Sequence, residues 1–268
     1  STNLFSPLAV ICPSIGLDHQ AVLGNTHAEI AAEKAGVLKN GAPFIFATER
    51  DDVRAVFEKK AHEEGAKTYE LGKDFTAKGT SHSFDFAYEE QKLENISLAM
   101  AGQHQVANAS LAIMASLLLQ KDYPEVTPDL IKAALAHASW LGRTEFLMPN
   151  LMIDGAHNNE SVKVLIDLLK SEYADKDIEL LFAAIDTKPI DSMLAQLESV
   201  GDLTVTSFEY PNSVKLDKYP DAYKQVSDFQ TWIKNHVSAD KDKLYVITGS
   251  LYFISQVRKW LLERKNNV

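Results

Sequence analysis

Sulfur chemistry is nearly absent from this 268-residue chain: it has one cysteine, Cys12, so no internal disulfide can form. Cys12 sits in an apolar run from Leu8 to Ile15, which predicts a buried thiol in a reducing compartment. Positive charge is also short. The 27 Lys plus Arg stand against 37 Asp plus Glu, a formal net charge of −10, which argues against a nucleic-acid surface because phosphate binding needs clustered cations. No apolar run approaches the roughly 20 residues of a membrane span, and no signal peptide opens the chain. The expectation is a soluble, cytoplasmic protein with no membrane or nucleic-acid partner.

Several enzyme signatures are missing too. There is no G-x-x-x-x-G-K-[ST] loop: Gly72-Lys73 is followed by Asp74, and Gly65-Ala66-Lys67-Thr68 has the wrong spacing. No G-x-G-x-x-G follows a strand, and neither a G-x-S-x-G elbow nor an H-E-x-x-H zinc spacing occurs. Cys12, inside an apolar run, is a poor nucleophile.

What is present is an ordinary globular composition, 46% hydrophobic and 24% charged, enough for one large or two modest domains. The first residues lead directly into Leu8-Ala9-Val10-Ile11-Cys12, a pattern of a fully buried strand, so the chain is expected to begin inside a larger fold. Thr26-His27-Ala28-Glu29 reads as a capping box. Phe44 to Ala47 then reads as a strand, Val53 to Ala61 as an amphipathic helix, and Thr68 to Leu71 as a short strand. Ser81 to Met100 alternates and predicts an antiparallel pair. Gln103 to Gln120 is apolar nearly all round, which predicts a largely buried helix, and Thr127-Pro128-Asp129 opens another. After a boundary at residues 139 to 143 the pattern restarts. Strands are expected at Leu151 to Asp154, Glu179 to Ala184, Leu203 to Ser207 and Leu244 to Thr248, with helices from Ser161, from Ile190, near Tyr223 and from Ser250. Alternating strands and helices imply a parallel sheet covered on both faces.

Ligands of open parallel sheets bind beyond the carboxyl ends of the strands, which gives weight to four turns. Ser14-Ile15-Gly16-Leu17-Asp18-His19 offers His19 as a metal ligand or phosphate contact, or as an ordinary polar turn residue. Lys34, in Glu33-Lys34-Ala35-Gly36, is either a solvated helix charge or, if desolvated, a functional amine. Asp154-Gly155-Ala156-His157-Asn158 puts a carboxylate and an imidazole in one turn before a helix capped by Asn158. Thr248-Gly249-Ser250-Leu251-Tyr252 opens the last helix, where backbone N–H groups can meet an anion or Ser250 can act as a plain cap. Asn108 lies midway along the apolar helix, where an amide needs a partner, and Arg143 lies at the boundary, where a guanidinium can reach a phosphate.

Taken in order, Ser14-Ile15-Gly16-Leu17-Asp18-His19, Ala32-Glu33-Lys34-Ala35-Gly36, Gly142-Arg143, Asp154-Gly155-Ala156-His157-Asn158 and Thr248-Gly249-Ser250-Leu251-Tyr252 resemble the folylpolyglutamate synthase/dihydrofolate synthase family of the Mur ligase superfamily. The resemblance spans nearly the whole chain. It implies an α/β protein in which residues 1–140 are the distal part of a P-loop-NTPase-like, ATP-binding central domain. Residues 141–268 would form a Rossmann-like C-terminal domain with amino-acid substrate and nucleotide contacts. The implied activity is ATP-dependent ligation of L-glutamate to the glutamyl tail of a reduced folate, and also to dihydropteroate in some members, through an acyl phosphate. ATP and Mg²⁺ are the implied cofactors, folate and L-glutamate the small-molecule partners, and a monomer the implied state. Carried over by resemblance, His19 and a carbamylated Lys34 hold the metal, and Asn108, Arg143 and Asp154 bind the nucleotide. His157 lies near the acyl phosphate and the incoming glutamate, and Ser250 near the amino acid. The competing expectations are a ligand-binding module without catalysis and a Mur-type amino-acid ligase of another substrate.

Two departures from the family pattern touch glutamate handling: Ile185-Asp186-Thr187-Lys188-Pro189 replaces a Lys-Asp-Lys-Asp-like run, and Asn159 stands where a proline is common. The family's phosphate loop and a metal-ligating glutamate precede the segment at which this chain starts. The chain by itself is therefore expected not to ligate glutamate, because the backbone cradle for the ATP phosphates is missing. Glutamate-dependent ADP release assayed on the purified 268-residue chain should stay at background; turnover without added protein would overturn this expectation.

Overall fold

The computed structural model describes residues 6–17 and 20–265. They divide after Ala138 into two compact units.

The first unit contains a parallel sheet in the order β1-β2-β3, formed by β1 (Val10–Cys12), β2 (Phe44–Phe46) and β3 (Thr68–Glu70). Between them run α1 (Gln20–Leu23), α2 (His27–Ala35) and α3 (Asp51–Glu64). The helix signals are local: Thr26 accepts the Glu29 N–H while the Glu29 carboxylate accepts the Thr26 N–H, a complete capping box. Successive residues of β2 face opposite sides. Phe44 and Phe46 pack edge-on with Phe57 of α3, and Ile45 joins the core beneath α4 (Gln103–Leu119). β1 departs from the fully buried strand expected of the Leu8–Cys12 run: among the described residues it stands at the sheet's edge, and Ile11 is 44% exposed.

The antiparallel part is larger than the expected pair. It is a three-stranded meander, β4 (Phe75–Thr80), β5 (Ser83–Tyr88) and β6 (Gln91–Ile96), whose inner residues Phe75, Phe84, Phe86, Leu93 and Ile96 pack with α4. β4 escaped the reading because only its first residue is buried and the rest alternates weakly. α5 (Pro128–His137) starts at Thr127, which accepts the Leu130 N–H. Asp51 and Asp52 form the acidic first turn of α3, and Glu89 and Glu90 form the exposed β5–β6 turn.

The second unit is a six-stranded sheet in the order β11-β10-β9-β12-β8-β7. Its strands are β7 (Glu145–Met148), β8 (Leu151–Asp154), β9 (Asp177–Ala183), β10 (Asp202–Thr206), β11 (Lys224–Val226) and β12 (Lys243–Gly249). All pairings are parallel except that of β7 with β8. Helices α6 (Asn159–Glu172) and α7 (Ile190–Leu197) cover one face, against Met152, Leu180, Phe182 and Val246. Helices α8 (Phe229–His236) and α9 (Leu251–Lys265) cover the other, against Leu151, Ile153, Leu181, Tyr245 and Ile247. Alternate residues of the same central strands feed the two cores, so these strands read as continuous apolar runs.

Two elements differ from the sequence reading. Near Tyr223 the chain forms the edge strand β11 rather than a helix, and α8 begins only where Asp228 accepts the Thr231 N–H. β7 is an antiparallel edge strand of four residues, too short for an alternation to be read, and it leaves Phe146 and Met148 exposed on either side of buried Leu147.

β12 is wedged between β8 and β9 and ends at Gly249, whose φ of +121° disfavours any side chain. A Cβ there would also collide with the Ala183 carbonyl oxygen. Gly249→Ala should therefore destabilise the chain by about 2–3 kcal/mol, lowering the urea midpoint without changing the slope; an unchanged midpoint would show the close approach to be dispensable.

Candidate functional site

At the carboxyl edge of the six-stranded sheet, β8 ends at Asp154 and β12 at Gly249, with Thr248 in register beside both Asp154 and Phe182. Met152 and Val246 lie in the core under α6 and α7, so Asp154 and Thr248, two residues further along, project to that same face. Thr248 is fully buried and its hydroxyl has no partner.

Asp154 is only 7% exposed. Its Oδ2 accepts the Thr144 N–H at 2.9 Å, and the Ala156 N–H also bonds to it. Burial pushes the carboxyl above the usual carboxylate range; those two N–H donors and the charges of Arg143 and His157 pull it partly back. Arg143 Nη1 donates to the Gly155 carbonyl at 3.1 Å, and His157 Nδ1 meets the same oxygen at 2.7 Å. A carbonyl only accepts, so Nδ1 carries a proton there. A carboxylate, a guanidinium and an imidazole are thus gathered around a single peptide.

The start of α6 fixes the imidazole's backbone. Asn158 caps the helix by accepting the Ser161 N–H at 2.8 Å, while Ser161 Oγ accepts the N–H groups of His157 and Asn158 at 3.0 and 3.1 Å. Ser250 is buried, and its N–H is spent on the Ala183 carbonyl at 2.8 Å. That N–H closes the β9–β12 junction, so only later N–H groups of the turn could face an anion.

In the first unit, Lys34 is exposed in the last turn of α2, and its charge acts on the buried Cys12 thiol, which burial raises to about 11. Among the described residues no neighbour desolvates the Lys34 side chain. Asn108 does not sit in an apolar surround either. It is exposed and donates to Gln105 Oε1 at 3.2 Å, on a stripe with Ala112 and Ser116 that α4 leaves outside the core. His19 lies outside the described residues. Among the described residues no group of three or more His, Cys, Asp or Glu side chains converges. None of the helices described is long and apolar enough to cross a membrane.

The sequence carries no functional signal for Thr144, Glu145 or Arg258, and it marks Ser161 only as a helix start. A capping box with serine at its third position could have flagged Ser161; nothing in the pattern links Glu145 to Arg258, 113 positions away.

No family model matches the chain. It is 33% identical over 278 residues to the dihydrofolate synthase/folylpolyglutamate synthase of Bacillus subtilis, covering 97% of this chain and 64% of that protein. Among solved structures, Escherichia coli FolC in complex with ADP superposes with a TM-score of 0.87 at 24% identity, over 98% of this chain and 64% of that one. A folylpolyglutamate synthase–AMPPCP complex gives 0.79 at 25% identity, over 97% and 63%. The fold is thus that of the Mur ligases. Its homologues are named folylpolyglutamate and dihydrofolate synthases, and the chain spans a little under two thirds of the length of the relatives it matches.

The raised carboxyl has a thermodynamic signature. Folded Asp154 holds its proton more tightly than the unfolded chain does, so its contribution to stability is complete below the ordinary value of 3.8 and is lost as pH rises through the raised value. Subtracting the unfolding free energy of Asp154→Asn from that of the wild type should give a difference that falls with pH across this window, at about 1.4 kcal/mol per pH unit, and then levels off. Chemical denaturation from pH 3.5 to 8 measures it; a flat or rising difference would contradict the assigned burial effect.

Proposed function

We propose that this chain serves the ATP-dependent ligation of L-glutamate to the glutamyl tail of a folate, with the second unit contributing nucleotide and acyl-phosphate contacts. The observation that carries the reading is the gathering of Arg143, His157 and the buried Asp154 about Gly155 at the carboxyl edge of a parallel sheet, where such folds bind ligands. Similarity to those named synthases supports it, as does the AMPPCP held by a structural relative.

In this reading Asp154 accepts hydroxyl donors of the nucleotide, for which the unpartnered hydroxyls of Thr144 and Thr248 supply further polar capacity. Arg143 pairs with phosphate charge. His157, with Nδ1 fixed on Gly155, turns Nε2 to the reacting carboxylate's phosphate, where it can donate or take a proton according to its charge state. An amine cannot displace oxide from a carboxylate, so the carboxylate must first become an acyl phosphate, and positive side chains stabilise the charge that develops. Ser250 belongs to the amino-acid end and Asn108 to the nucleotide contact of the first unit. Mg²⁺, with His19 and carbamylated Lys34 as ligands, enters on sequence resemblance alone.

The test is calorimetric titration of the purified chain with AMPPCP, without metal and then with Mg²⁺. Asp154→Ala and Arg143→Ala should each weaken binding by about 10- to 100-fold, the value of a charge-assisted contact. Affinity that survives both substitutions, or a wild-type chain that ignores the nucleotide at millimolar concentration, would remove the nucleotide from this site.

A further inference from the structure

The turn that delivers Arg143 and Thr144 to the site is held from behind. Gly142 and Thr144 both have positive φ, +71° and +42°. A β-branched residue rarely adopts that conformation and persists in it only where its surroundings over-determine the backbone. Those surroundings are specific. Glu145, the first residue of β7, accepts the Gly142 N–H on Oε2 at 2.8 Å, and both of its carboxylate oxygens accept Arg258 Nε of α9, at 2.9 and 3.0 Å. On the site side, the Gly142 carbonyl accepts the Gly155 N–H at 2.8 Å, and Thr144 N–H reaches Asp154. Gly142 also sits so close to Ile254 of α9 that a Cβ would lie 3.1 Å from its Cγ2. One chain of contacts therefore runs from α9 through Glu145 and the turn to Asp154 and Gly155.

We propose that the Glu145–Arg258 pair is the positioning device of the Arg143/Asp154 site, setting the left-handed turn so that Thr144 N–H meets Asp154 and the Arg143 guanidinium meets Gly155. The inference rests on the nucleotide reading above for its functional consequence, but its structural consequence is independent of any ligand. Without the Glu145 carboxylate the Gly142 N–H loses its acceptor, the strained turn relaxes, and Asp154 loses a donor that favours its charged form. The side chains of Glu145 and Arg258 are 19% and 28% exposed, unlike the Lys224–Asp202 pair at the far edge of the sheet, which is open to solvent on both sides.

Two readouts on the purified 268-residue chain test this: the titration of the Asp154 side-chain carboxyl by carbon-13 NMR, and the affinity for AMPPCP. Glu145→Ala should move the Asp154 titration upward by about one pH unit and weaken AMPPCP roughly tenfold. Glu145→Gln keeps an acceptor oxygen for Gly142 N–H and should restore both close to wild type. Arg258→Met should shift the titration in the same direction by less, and Asp202→Ala should leave it unmoved. A folded Glu145→Ala chain with unchanged Asp154 titration overturns the proposal. If that chain does not fold, an unmoved titration in Arg258→Met does so instead. A shifted titration in a chain whose wild type does not bind AMPPCP would sustain the positioning role while removing the nucleotide reading.

Discussion

Keeping a carboxylate almost out of water at the end of a central strand is the constraint around which the second unit is built. Asp154 costs stability when ionised, and its neighbours offset part of that cost: the Thr144 and Ala156 N–H groups and the charges of Arg143 and His157. Each compensating group demands geometry of its own. Thr144 must adopt a left-handed backbone, Gly155 must present its carbonyl to both Arg143 and His157, and the turn before β7 must close on the strand end. A purely structural residue at this position would be apolar; a buried carboxylate with unpartnered hydroxyls nearby is an arrangement suited to a ligand.

The sheet supplies the rigidity that makes such an arrangement possible. β12 inserts between β8 and β9, so the three strand ends that carry Asp154, Ala183 and Gly249 are locked by ladders on both sides of the central strand. The Ser250 N–H completes this junction instead of facing a ligand. Helices α6 and α9 then start from fixed points, and the side chains at their first turns inherit that precision. In the first unit the equivalent order comes from an aromatic cluster, Phe44, Phe46 and Phe57, between a short parallel sheet and α3.

The sequence was most legible where a signal is local or strictly periodic. Capping residues announced α2, α5 and α6, and the apolar runs of β8, β9 and β12 announced a sheet covered on both faces. It was least legible at edges. β4, β7 and β11 are edge strands, partly exposed and paired on one side: β4 buries only its first residue, β7 is four residues long, and β11, Lys-Gln-Val, is mostly polar. The stripe of α4 that carries Asn108 was read as buried because alanine, which fills much of that helix, is apolar in a count yet tolerates solvent.

Residue order alone determined the resemblance to folylpolyglutamate synthases, the alternation of strands and helices, and the turns in which Asp154, His157 and Ser250 stand, because these depend on neighbours within a few positions. Only the folded chain decided that Asp154 is buried, that Arg143 and His157 share one carbonyl, and that Glu145 meets Arg258 across 113 residues. Burial, charge coupling and backbone strain arise between segments far apart in the chain, and no local pattern encodes the distance at which they come to rest.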